Sequence, residues 1–337
     1  MIHHPGIDRI DRWGRWVILL FVAGSCFFMP ASEHGISQAT LFVTTILFLG
    51  GFPHACFDHL VYREFSSPGA GARGMSLFVV GYVLLALVYA AVWVIYPSIG
   101  FTTFYFLTWY HWGKGDLDHE RFVCRRRFAT NSEATLFLIT RGAAPMSLPL
   151  LVDPGAVQEL IKGCVSLFQV SFVPPAELSI QIFGAVGTLV FVIGSVWDAV
   201  RGKEGRLHRL GEVAILLALF AFLHPLPAVG IYYLFWHSSR HLLRLSITLR
   251  VTDRDTLTKR FREAIPVLAA TTIIVAALLL TVANLFGKEE IYFSLVVLIC
   301  CLTLPHTLVT DWMDRAERVA YRSQTHKVTT QVHCSQD

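Results

Sequence analysis

The chain has 337 residues, 54% of them hydrophobic and 15% charged, with 28 Lys and Arg against 24 Asp and Glu. Soluble domains carry about 25% charged residues, and the mean hydropathy here is +0.54. This composition excludes an ordinary soluble enzyme and a disordered or collagen-like chain, and it predicts an integral membrane domain with short loops.

Arg9, Arg12 and Arg15 precede an apolar run from Trp16 to Met29. The layout is that of a signal peptide, but no A-x-A cleavage site follows and further spans come at once. The run is therefore expected to stay as a first helix. Spans are predicted at about 15–31, 36–57, 75–97, 100–113, 132–152, 177–198, 211–223, 229–247, 264–286 and 290–310, the fourth and seventh being short. Val157, Leu160, Ile161, Val165 and Phe168 recur at helical spacing, which predicts an interfacial helix over about 156–168. The expected fold class is all-α: a polytopic membrane bundle of about ten helices. Residues 1–314 would form a single catalytic membrane domain and 315–337 a cytoplasmic tail.

The basic residues orient the bundle. Arg9 to Arg15, Arg63, Arg73, Lys114, Arg121, Arg125 to Arg127, Arg201 to Arg209, Arg244, Arg250 to Arg262 and Arg315 to Lys327 all fall on one side, and the opposite loops keep Lys162 and Lys288. The positive-inside rule then places both termini in the cytoplasm of a cell-membrane protein. With little aromatic interleaving, these loops predict no nucleic-acid partner. The seven cysteines, Cys26, Cys56, Cys124, Cys164, Cys300, Cys301 and Cys334, are odd in number and lack C-x-x-C spacing. They read as small apolar residues without a disulfide framework.

Ionisable groups at membrane depth are costly, so each is a candidate functional group. Four distant spans, all running outside to inside, end in such groups. They carry Pro53-His54-Ala55-Cys56-Phe57-Asp58-His59, His111-Trp112-Gly113-Lys114-Gly115-Asp116-Leu117-Asp118-His119, Trp236-His237-Ser238-Ser239-Arg240-His241, and Pro305-His306 followed by Asp311. His237 and His241, four apart on a helix, would share a face with Cβ atoms about 6 Å apart. With His54 and His111 at the same depth they make a candidate four-imidazole metal site in the cytoplasmic half. Imidazole without thiolate suits iron, copper or zinc. The bland alternative is that these histidines cap helices or bond carbonyls. Asp58 is a candidate outer partner of a ligand or a helix cap; Arg141 and Arg240 need acceptors and should sit in ion pairs. His59 and His119 are expected at the inner interface, within reach of water.

These residues resemble the Brp/Blh family of bacterial and archaeal membrane proteins. The resemblance rests on Pro53-His54-x-x-x-Asp58-His59, His111-Trp112-Gly113 with Asp116, His224-Pro225, Trp236-His237-Ser238-Ser239-Arg240-His241 and Pro305-His306, spread from about 50 to 310. It implies a β-carotene 15,15′-dioxygenase: central cleavage of β-carotene by O2 to two retinal molecules at non-haem iron, Fe(2+). It implies His54, His111, His237 and His241 as the ligands, with Asp58, His59, Asp116, His306 and Arg240 as outer or additional residues. A retinal-binding rhodopsin would be the product's acceptor. Ala55 in place of a glycine, Lys114-Gly115 before Asp116, and the long stretch 153–176 depart from the pattern. The residues alone also admit a membrane zinc hydrolase with Asp58 or Asp116 as base, or a carotenoid or retinal carrier or transporter with no metal.

Overall fold

A computed structural model describes residues 5–28, 38–66, 71–169, 171–202, 205–285 and 290–334, and the described elements are all helical. In chain order they are α1 (Pro5–Phe28), α2 (Gln38–Gly51), a 3-10 turn (Phe52–Phe57), α3 (Asp58–Phe65), α4 (Gly71–Ile95) and α5 (Pro97–Asp118). A π-helical turn (His119–Val123) follows, then α6 (Asn131–Val152), α7 (Pro154–Ser166), α8 (Glu177–Arg201) and α9 (Arg206–Phe222). The chain closes with α10 (Pro225–Ile231), a second π segment (Tyr232–Ser238), α11 (Ser239–Thr248), α12 (Arg254–Leu285) and α13 (Glu290–Cys334).

The residues predicted as spans are helical where they are described, apart from Tyr96 and Leu223, and the bounds differ for identifiable reasons. The span predicted at 36–57 breaks at Pro53, whose ring denies the helix a donor, and continues as the 3-10 turn and α3. That predicted at 229–247 is α10, the π segment and α11 in succession. Residues 29–37, Lys203 and Lys288 lie outside the described residues. The expected tail continues α13 as helix to Cys334, and 335–337 lie outside.

Among the described residues, six helices are long and apolar enough to cross a membrane. They divide by what surrounds them. In α4 and α12 only 11% of the apolar window is buried, whereas in α6 it is 61%. Helices apolar all round with little protein contact suit a hydrocarbon solvent. α6 packs chiefly on α8 and α5. A Cβ on Gly113 would stand 2.1 Å from the Leu138 carbonyl oxygen, and one on Gly142 2.1 Å from that of Trp109. These two glycines let the α5 and α6 backbones touch, as small residues do in membrane interfaces.

Helix starts follow capping rules. Thr130 accepts from the Glu133 N–H at 3.1 Å, and Glu133 reaches back to the Ala129 N–H at 2.8 Å. Asp253 accepts from the Thr256 N–H at 2.7 Å ahead of α12. That bond and the Thr256 and Thr252 hydroxyls hold its carboxyl below the usual carboxylate range. Cys56, Cys164, Cys300 and Cys301 are buried as expected and Cys124 is exposed; the side chains of Cys26 and Cys334 lie outside the described residues.

Candidate metal centre

Five elements carry imidazoles into one place. Pro53 opens the 3-10 turn that turns His54 inward, α5 brings His111, the π segment and α11 bring His237 and His241, and α13 brings His306 just after Pro305. All five are buried. Ring centroids of His111 and His237 lie 4.8 Å apart. His54 lies 5.5 Å from His237, 5.3 Å from His241 and 5.0 Å from His306. His306 is 5.0 Å from His111 and 5.2 Å from His241. The four imidazoles predicted as ligands therefore converge, and His306, predicted only as an additional residue, stands among them.

His237 and His241 share a face as their spacing requires, with rings at 12° and centroids 6.3 Å apart. The helix between them is not uniformly α, since His237 sits in the π segment. There the Ser238 hydroxyl donates to the Tyr233 carbonyl at 2.7 Å. π segments of this kind recur at functional sites.

The donor set fits a metal ion. One ring nitrogen from each of His54, His111 and His237 lies within 4.8 Å of the other two. A metal–nitrogen bond of about 2 Å puts two ligand nitrogens at most about 4 Å apart, so small ring movements suffice for shared coordination. The Nε2 atoms of His237, His241 and His306 are buried with no hydrogen-bond partner among the described residues. Buried polar atoms are normally satisfied, and a cation is what unprotonated imidazole nitrogens facing one another would take. The far nitrogens are held: His54 Nδ1 lies 2.6 Å from the Gly51 carbonyl oxygen and 3.2 Å from the Ser238 hydroxyl, and His306 Nδ1 lies 2.8 Å from Asp58. Carbonyl and carboxylate partners of this kind fix ring orientation in metal sites.

The outer residues sort differently from their sequence neighbours. Asp58, four residues from His54, serves His306 instead and also accepts from the Tyr82 hydroxyl at 3.1 Å. His59 does not join the cluster; its Nδ1 lies 2.9 Å from the Cys56 carbonyl oxygen one turn back. His119, expected near water, is 1% exposed, with Nδ1 3.6 Å from Cys124 Sγ. Asp116 holds no imidazole. It accepts from the Trp236 indole, from Arg141 and from Arg240, each at 3.0 Å. Both guanidiniums also donate to Glu212, so the expected ion pairs form a closed square, with Arg240 3.9 Å from the centre of the Trp236 ring. Sequence reasoning missed Glu212 because, three residues after Arg209, it reads as part of the charged approach to the apolar run of α9. A lone carboxylate there was itself the signal. Lys114, one turn beyond His111, pairs with Asp118 at 2.6 Å and with Asp314. Gly115 leaves room for the His237 ring, since a Cβ there would meet it at 3.1 Å.

With Asp58 and Asp116 committed to these partners, neither is placed as the base a zinc hydrolase would need. Beside the cluster opens a cavity of about 620 Å³. His54, His111 and His306 line one end, and its walls are otherwise mostly aromatic and aliphatic, among them Phe48, Tyr105, Trp112, Met146 and Tyr233.

Comparison with known proteins agrees with this chemistry. A family model described as beta-carotene 15,15'-dioxygenase matches residues 44–314, an interval that contains all five histidines. The chain is 30% identical over 298 residues to a Halobacterium salinarum protein named "Probable beta-carotene 15,15'-dioxygenase Blh", covering 83% of this chain and 85% of that one. It is 24% identical over 297 residues to "Probable beta-carotene 15,15'-dioxygenase Brp" of the same species, covering 80% and 82%. No solved structure matches.

Proposed function

The chain belongs to the β-carotene 15,15′-dioxygenase family, and from that membership we propose that it is a carotenoid-cleaving membrane enzyme. It splits β-carotene with O2 at the central double bond into two molecules of all-trans-retinal. The observation that carries this reading is the convergence of buried imidazoles, with unpartnered Nε2 atoms, at the end of a single apolar cavity.

The cofactor is iron(II), with His54, His111, His237 and His241 as ligands and His306 as a neighbouring nitrogen of the same kind. When bound, iron supplies the one-electron chemistry through which ground-state O2 can react with a polyene. The chain's own residues position and exclude. Gly51 and Asp58 occupy the far nitrogens of His54 and His306 and so leave Nε2 of each for the centre. The cavity walls keep the hydrocarbon dry and hold it against the imidazoles, converting an encounter in the bilayer into a positioned one. The net reaction moves no proton, because C40H56 and O2 together equal two C20H28O. That balance suits a site whose nearest carboxylates are engaged in ion pairs and hydrogen bonds.

We also propose the finer topology: ten spans with both termini in the cytoplasm of the cell membrane, which puts the metal centre in the cytoplasmic half. Retinal leaving the cavity enters the bilayer, within reach of a retinal-binding rhodopsin as acceptor. The test is expression of the full chain in bacteria that accumulate β-carotene, with metal analysis of the purified protein. Loss of orange colour, appearance of retinal and about one iron per chain are expected. Persistent colour despite well-expressed, iron-loaded protein would overturn the reading.

A further inference from the structure

The stretch 153–176 has a place in the fold that the reaction itself does not explain. Asp153 caps α7, accepting from the Ala156 N–H at 2.9 Å. Gln158 then donates to the Pro175 carbonyl at 2.8 Å, tying the segment after the helix back onto it. Val157, Leu160, Ile161 and Val165 of α7 face the 620 Å³ cavity, and Phe172 and Val173 line it beyond the helix. α7 does not simply lie on a membrane surface as its periodicity predicts. Cys164 and Val165 are fully buried, so the helix forms a wall of the cavity at the end away from the imidazoles. The lining there reaches the outside: Val173 is 84% exposed, and the exposed Ser98 at the start of α5 and Ser179 at the start of α8 also line the cavity.

The cavity's length follows from α5, which lines it from Ser98 to His111. Thirteen residues of helix rise about 20 Å. One arm of a C40 polyene, from the central bond to the far edge of its ring, is about 15 Å long with zigzag carbon–carbon bonds of about 1.4 Å. An arm whose central bond lies at the imidazoles would therefore end against α7 and near the exposed mouth.

We propose that α7 and residues 171–176 form the entrance through which the carotenoid passes from the bilayer, with Ile161 and Leu160 as the wall beside which the ring of its trailing arm seats. This rests on the β-carotene reading for the identity of the ligand and adds where it enters and where its trailing ring seats. The occupant is a hydrocarbon because the lining is apolar and Leu178, Ile182 and Phe183 of α8 beside the mouth are exposed, as residues facing lipid are.

The experiment loads β-carotene into the full chain in lipid nanodiscs under nitrogen, so that no turnover occurs, and reads bound carotenoid by absorption after re-isolation. Ile161→Trp should weaken binding at least 10-fold by filling the seat of the ring. Val173→Arg, on a side chain open enough that folding is unaffected, should slow loading at least 5-fold with the same final occupancy. Val186→Trp, on the 56% exposed face of α8, should change neither. If Ile161→Trp does not fold, Val173→Arg alone decides. A wild-type chain that binds β-carotene while Val173→Arg loads at the wild-type rate overturns the entrance and leaves the family reading intact. Wild-type protein that binds no β-carotene overturns it as well. Variants that behave as expected, in a chain whose iron-loaded form makes no retinal, support the entrance and count against the cleavage reading.

Discussion

Two buried polar regions lie one or two helical turns apart and could hardly differ more in how they are satisfied. In the first, His54, His111, His237, His241 and His306 face one another with unpartnered Nε2 atoms on three of them. In the second, Asp116, Glu212, Arg141 and Arg240 saturate each other at 5% exposure or less. Placing charge at membrane depth is costly in both. The ionic square offsets that cost internally, so it is complete as it stands and reads as a fixed floor tying α5, α6, α9 and α11 together. The imidazoles are incomplete without something that accepts several nitrogen lone pairs at once. Arginine-rich does not mean catalytic here; incompleteness is what marks the site.

If that contrast is right, the largest effects come from the incomplete region. His111→Ala and His237→Ala should each abolish bound iron and retinal formation while leaving the fold intact, because no ion pair is broken. Metal content and thermal unfolding of the purified variants check both halves of that statement. Iron retained at the wild-type level in either variant would show that the cluster is not the metal centre. Glu212→Ala should do the opposite. It leaves two buried guanidiniums sharing the single carboxylate of Asp116, and breaking a buried pair costs about 3–5 kcal/mol. The expected result is a strongly lowered unfolding temperature, with activity falling in proportion to the folded fraction. If Glu212→Ala instead unfolds normally and loses turnover, the floor belongs to the chemistry.

Much of this division was legible in the sequence. The imidazoles could be placed because a histidine in an apolar run is conspicuous, and because the basic loops set which end of each span it occupies. The need of Arg141 and Arg240 for acceptors was equally plain. What escaped was pairing across helices. Asp58 was assigned by proximity to His54, yet a carboxylate at the fourth residue along reaches α13 because the 3-10 turn at Pro53 changes the angular advance per residue. His306 had only Pro305 beside it to distinguish it, and spacing says nothing about a helix that begins more than forty residues after α11 ends. The role of Gly115 depends on where the His237 ring lies, and no periodicity reports that.

Asp58 lets the comparison be sharpened. Among the described residues it is the carboxylate bonded to the imidazole region, at His306 Nδ1, and it also accepts from the Tyr82 hydroxyl. Asp58→Asn keeps the shape but weakens the acceptor, and losses of 10–100-fold in metal affinity are typical when such a partner is changed. An iron titration should show that shift with little change in unfolding temperature; an unchanged affinity would assign His306 to packing.

The smallest expected effect is at Gly115. An alanine Cβ there would stand 3.1 Å from Cε1 and Nδ1 of His237, closer than ordinary contact yet facing a ring, not a backbone atom. The ring must yield by a few tenths of an ångström. The site needs nitrogens that now lie within 4.8 Å of one another to stand at most about 4 Å apart, so the direction of the push decides the outcome. A push toward His111 should leave iron affinity nearly unchanged, and a push away should weaken it several-fold. Iron titration of Gly115→Ala against the wild type reads the sign. Because no charge is uncovered, the unfolding temperature should stay close to wild type in either case, which separates this variant from Glu212→Ala and keeps the two polar regions distinct.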